Sequence, residues 1–218
     1  MTKFRFTIPL QGADRKTIAT HVAAALDTEA VYDGAPRYTY TAKEWKIRRE
    51  SVLESPSLTL EKLYTVQKML TQFSENDRFF TTGNMEVSVV GVSADDVERV
   101  QTVLKSKEQL IQRTIRTDGE LNVRRDNSTL VMPFFPATLD ADRLFAYLTF
   151  AVKLVEFASN LNYTTAKEKN HANEKYAMRC FLLRLGFVGD DTKKARKTLL
   201  APLSGDSAYN GRENRKTS

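Results

Sequence analysis

One cysteine and two histidines in 218 residues leave little of the usual equipment of catalysis and metal binding. A lone Cys180 excludes an intrachain disulfide, and its apolar helical setting gives it the character of a small core hydrophobe. His21 and His171 are remote from one another in sequence and neither has a second ligand beside it, so His21 reads as structural and no metal site is expected. Walker, GxGxxG, HExxH and GxSxG motifs are all missing, so no cofactor and no enzyme activity are expected. Carboxylates converging on a metal from distant positions, as in some nucleases, are the one catalytic alternative. Long apolar runs are missing too: Leu144 to Ala158 is broken by Lys153 and Glu156 and is too short for a bilayer. The opening MTKFRFTIPLQG lacks the apolar segment of a secretory signal, so the expected location is the cytoplasm, away from membranes.

What is present suffices for a buried core, with 41% hydrophobic and 28% charged residues. Phe4 to Ile8 alternates apolar and polar like a half-buried strand, and Pro9 should close it because proline donates no ladder hydrogen bond. Asp14 can cap a helix from Arg15 to Asp27. The stretch from Ala30 to Arg49 has strand composition split by turns. A hairpin there would bury Tyr38, Tyr40, Trp45 and Ile47 on one face and leave Arg37, Thr39, Lys46 and Arg48 in solvent. Aromatic and basic residues interleaved in this way can hold bases and phosphates, or can simply divide a core from a wet surface.

After the break at Ser55-Pro56-Ser57, Leu60 to Phe73 has the spacing of an amphipathic helix, and Met85 to Val90 returns to strand alternation. Ser93-Ala94-Asp95-Asp96 resembles a capping box opening a long helix to Ile115. Leu121 to Arg125 and Leu130 to Met132 read as a hairpin ending at Pro133, and Asp140 caps an apolar helix reaching about Leu161. Three strand-to-helix passages, at Phe4, Met85 and Leu130, suggest an α+β sandwich with antiparallel or mixed sheets; internal repetition and a shared capping solution both account for them.

Charge is unevenly spread. The last 55 residues hold 12 Lys and Arg against 6 Asp and Glu, while the first 163 hold 21 of each. Residues 1–162 are expected to form the body, with a candidate subdomain break near 55–83, followed by a basic helical hairpin over 163–203 and a disordered tail over 204–218. In the hairpin, Tyr176, Ala177, Cys180, Phe181, Leu183 and Leu185 form the expected buried side, Gly186 the end of the first helix, and Asp190 or Asp191 the cap of the second after a short turn. Lys193, Arg196 and Lys197, with Lys194 beside them, would then share an outward face.

FTIPLQG, Tyr32 to Tyr40 with Trp45 to Arg49, and NEKYAMRCFLLRLGFVGDDTKKARKTLLAPLSG together resemble a family of Firmicutes phages and integrative elements often labelled "virulence-related protein". The resemblance implies an accessory gene of a mobile element and carries no catalytic motif. It makes the leading expectation a non-enzymatic antagonist of host defence, of the anti-CRISPR type, that binds a bacterial effector protein, its ribonucleoprotein or its nucleic acid. A DNA-binding regulator or replication accessory using the last helix is the alternative, with Lys193, Lys194, Arg196, Lys197, Arg37, Lys46 and Arg48 as candidate contacts. A sponge for a signalling nucleotide is a third option that no residue pattern favours.

Overall fold

In a computed structural model of the chain, residues 2–63, 66, 71, 79–161 and 173–208 are described. The fold is α+β, as expected. Nine strands form a single antiparallel sheet among these residues: β1 (Phe4–Gln11), β2 (Val31–Asp33), β3 (Thr39–Ala42), β4 (Trp45–Ile47), β5 (Val52–Glu54), β6 (Phe80–Thr81), β7 (Asn84–Val90), β8 (Arg124–Asp126) and β9 (Thr129–Pro136). They run in the order β2-β3-β4-β5-β1-β7-β9-β8, with β6 also pairing β1. Six α-helices lie wholly among the described residues: α1 (Arg15–Ala25), α2 (Ala94–Lys105), α3 (Glu108–Ile115), α4 (Ala141–Ser159), α5 (Glu174–Arg184) and α6 (Lys193–Leu200).

The strands that open the three strand-to-helix passages, β1, β7 and β9, are neighbours at the centre of this sheet. Phe4, Phe6 and Ile8 are buried on alternate positions of β1, and Phe6 and Phe4 pair with the buried Val87 and Val89 of β7. The period of two thus turns one face inward. Trp45 meets Phe6 edge-on at 5.8 Å on that face, where α1 lies against β3 and β4 and α4 against β7.

Two prolines do not end their strands. Backbone amides of Phe4 and Leu10 point toward Leu58 and Ser51, so the position of Pro9 points the other way, to the β7–β6 side. Its partner strand is interrupted there: the register along β1 steps between Thr81 and Glu86, around Gly83 at φ 64°. Likewise Pro133 falls in a β-bulge, where the β7–β9 register shifts between Met85 and Val87. Each proline stands where no amide donor is required.

The long helix expected from Ser93 to Ile115 is two helices. Leu104 is buried, and the positions three and four residues beyond it are Lys107 and Glu108, which a continuous helix would turn toward the core. A break at Lys107 (φ −143°) frees both. The Lys107 ammonium then lies 5.2 Å from the Phe181 ring centroid, and Glu108 accepts a hydrogen bond from the Leu121 amide. Leu121 to Val123 is not strand, because the Gln101 side chain donates to the Leu121 carbonyl and accepts from the Val123 amide, taking the place of a ladder partner. Of the helix expected over Leu60 to Phe73, the described residues are a 3-10 turn at Leu60–Lys62 and the helical Leu63, Val66 and Thr71, with Leu63 and Val66 buried; the remainder lies outside the described residues.

Helix α4 is the centre of the second layer, with eleven of its nineteen residues buried. Asp140 caps it by accepting from the amides of Asp142 and Arg143. Phe135, fully buried past Pro133, packs on Tyr147 and Phe150 of α4 at 5.3 and 6.5 Å between centroids. Phe135→Ala is therefore expected to cost about 3–5 kcal/mol of unfolding free energy in urea titration, against under about 1 kcal/mol if this residue belonged to a loop beyond the strand.

Candidate anion-binding groove

Helices α5 and α6 pack together, and α6 lies along α4. The inward stripe of α5 is Met178, Phe181, Leu182 and Leu185; of the expected residues Phe181 and Leu185 are on it and Ala177 packs half-buried against the core, whereas Tyr176 and Cys180 are only half-buried and Leu183 is exposed. That stripe has the i, i+3, i+4, i+7 spacing of a helix lying on a core. Gly186, at φ 84°, ends the helix as expected. The Phe187 amide returns to the Leu182 carbonyl and the Gly186 amide to Leu183, the paired bonds of a Schellman motif.

The connection to α6 spans the eight residues 185–192, longer than the expected short turn and longer than a helix-turn-helix joint of three to four residues. Thr192, not Asp190 or Asp191, is the residue before α6, and its hydroxyl turns back to the Val188 carbonyl. The tail expected to be disordered from Ser204 retains order as far as residue 208. Lys175 donates its amide to the Ser204 carbonyl, and the Asn173 side chain donates to the Asp206 carbonyl; 209–218 lie outside the described residues, as does the expected hinge over 163–172.

Correcting the α5 stripe moves two cations. Lys175 and Arg179, one helical turn apart, border the buried side and face α6. With Lys193, Arg196 and Lys197 they line a groove of about 540 Å³ whose other walls are Leu200, Ala201 and Ser207. Among the described residues no carboxylate lines it. Among the described residues no ion pair engages Lys175, Arg179 or Lys197, and Lys193 has only a loose contact with Asp190 at 3.8 Å. Arg196 is different: its guanidinium donates to the Phe187 carbonyl and fastens α6 to the end of α5. Lys194 points away from the groove, paired with Asp142 at 2.6 Å.

A second hollow of about 390 Å³ opens on the opposite flank of α6, against α3 and α4. Arg116, Arg143, Lys194 and Lys197 line it together with Asp140 and Asp142, and both carboxylates are engaged, one in the α4 cap and one with Lys194. Tyr147 forms part of its wall and donates its hydroxyl to the Ile115 carbonyl at 3.0 Å. Burial raises the Tyr147 pKa above 10.0, an effect that the nearby charges of Arg143 and Arg116 partly offset.

The sequence-predicted cations of the N-terminal half do not join these. Lys46 and Arg48 lie on and beside β4 next to Glu54, which is the cross-strand partner of Lys46 and accepts from Arg48 at 2.6 Å. Arg37 is exposed in the turn between β2 and β3. Tyr38 adopts φ 49° and is exposed, not part of the buried face, while Tyr40, Trp45 and Ile47 turn inward as expected. Arg49 covers the Tyr38 ring and Arg15 the Tyr40 ring, each at 5.7 Å, so these aromatic faces already have cationic partners. Strand β3 is four places from β7, on which α4 and the helical pair are built, or about 19 Å across the sheet.

His21 donates through Nδ1 to the Thr17 carbonyl at 2.9 Å and stands edge-on to Phe79, in keeping with a structural role. His171 lies outside the described residues. No group of three or more His, Cys, Asp or Glu with metal-binding spacing occurs among the described residues, and no helix there is long and apolar enough to cross a membrane. The chain matches no family model and no curated protein.

Two predictions separate the structural residues of this site from its open ones. Arg196→Ala is expected to lose about 1–2 kcal/mol of stability in chemical denaturation, while Lys193→Ala and Lys197→Ala stay within about 0.5 kcal/mol of the parent. Because the folded state holds the Tyr147 phenol above its ordinary pKa, its contribution is complete below about pH 10 and is lost as pH rises beyond it. Tyr147→Phe should therefore flatten the loss of stability above about pH 10 in thermal melts, compared with the parent chain.

Proposed function

We propose that this chain is a non-enzymatic binding protein that takes up a nucleic-acid backbone on the groove between α5 and α6, and that it serves a phage or mobile element as an antagonist of a bacterial defence ribonucleoprotein inside the host cell. The observation that carries the reading is the groove lining: five cations from two helices converge, with no carboxylate among the described residues that line it. A surface of that composition repels acidic partners nowhere along its length and gains counterion-release free energy from each phosphate it neutralises. The resemblance to mobile-element accessory proteins supplies the biological setting, and the defence effector is proposed on that ground.

Fluorescence anisotropy of the full chain with labelled DNA and RNA over a salt series tests the binding half. Affinity is expected to fall linearly on a log–log plot with salt and to drop about 100-fold in Lys193→Glu/Lys197→Glu. Salt-independent binding, or a variant that binds like the parent, would reject the groove as the site. Co-purification with CRISPR effector complexes and protection of their target from cleavage test the antagonist half. Plasmid and RNA are expected to remain intact in Mg²⁺ or Mn²⁺, and metal-dependent cleavage would overturn the non-enzymatic reading.

A further inference from the structure

The two hollows beside α6 have more to say about the partner. Lys197 and Ala201 line both, so the hollows are adjacent across the helix and Lys197 stands on the crest between them. One flank presents Lys175, Arg179 and Lys193, and the other presents Arg116 and Arg143. Among the described residues neither Arg116 nor Arg143 is held in an ion pair. Helix α6 is thus a short ridge with a cationic trough on each side.

The dimensions select among nucleic acids. An eight-residue helix is about 12 Å long and, with side chains, about 10 Å across. The major groove of B-form DNA is about 12 Å wide and admits a helix, with a phosphate backbone along each wall. The major groove of an A-form RNA duplex is too narrow and deep for one. Single strands are held chiefly by stacking on aromatic rings, and among the described residues the only aromatic side chain lining either hollow, Tyr147, is 3% exposed with its hydroxyl engaged. Resting on the nucleic-acid reading above, we infer that the partner is B-form duplex DNA straddling α6: the ridge enters the major groove, one backbone lies along the α5 trough, the other along the Arg116–Arg143 trough, and Lys197 reaches the base edges.

The test is a salt titration of the full chain with duplex DNA, duplex RNA and single-stranded DNA of one length, using the parent, Lys175→Gln/Arg179→Gln and Arg116→Gln/Arg143→Gln. Lys16→Gln/Arg125→Gln, at positions that line neither trough, matches the loss of two charges, and thermal melts control for folding. Duplex DNA should bind at least about tenfold more tightly than the other two, and each paired neutralisation should lower the salt slope by about two. A second measurement needs no variant: neutral methylphosphonates placed on one strand, the other, or both should each weaken binding. Duplex RNA or single strands binding as tightly as duplex DNA would overturn the inference. So would an unchanged slope in Arg116→Gln/Arg143→Gln, or an effect of methylphosphonates on one strand alone, although the groove between α5 and α6 would then still stand as a nucleic-acid site if Lys175→Gln/Arg179→Gln lowered the slope. Absence of binding to all three nucleic acids would remove both readings.

Discussion

Helix α4 is apolar around most of its circumference and has to be covered on more than one side. The sheet covers one side through Phe135 and its neighbours on β7 and β9, and α2 and α6 cover others. This requirement determines what the C-terminal helices can do. Ala195, Leu199 and Leu200 of α6 are committed to the core, so Lys193, Lys194 and Lys197 have no choice but to face outward. The basic surface is a by-product of anchoring as much as of charge: a helix with three buried positions in two turns displays its remaining residues in a fixed order.

Both flanks of α6 owe their shape to the same anchoring. On one side α5 is held by the Schellman turn and by Arg196 on the Phe187 carbonyl. On the other, Tyr147 ties α4 to the end of α3 and so brings Arg116 near Arg143. Arg196 and Tyr147, which make these ties, line the hollows but are spent in hydrogen bonds, whereas Lys175, Arg179, Lys197, Arg116 and Arg143 are held in no ion pair among the described residues. Division of labour among cations of the same helix is visible here, with Arg196 structural and Lys197 open.

Much of the fold was legible from periodicity. The alternation in β1, the caps at Asp14, Ser93 and Asp140, the long apolar helix and the Gly186 stop all follow from rules local to a few residues. What escaped was set by partners remote in sequence. Pro9 and Pro133 look like strand ends until the interruption opposite each is known, and Gln101 replaces a strand partner twenty residues away. The site was half legible. Lys193, Arg196 and Lys197 could be read from their spacing, but a shift of the α5 stripe from Ala177 and Cys180 to Met178 and Leu182 was needed to bring Lys175 and Arg179 beside them. Arg116 and Arg143 carry no local signal at all, since their proximity to α6 arises only when α3 and α4 pack.

The clasp at the start of α5 bears on timing. With Lys175 bound to Ser204 and Asn173 to Asp206 at one end, and the Phe187 turn closed at the other, the two helices form a ring of hydrogen-bonded segments before any ligand arrives. A trough already held open loses little conformational entropy on being filled. Encounter with the polyanion proposed above would then resemble docking onto a rigid die, governed by long-range attraction and diffusion, and the lifetime of such a complex would rest on the ions displaced and not on a slow refolding of the chain around its guest.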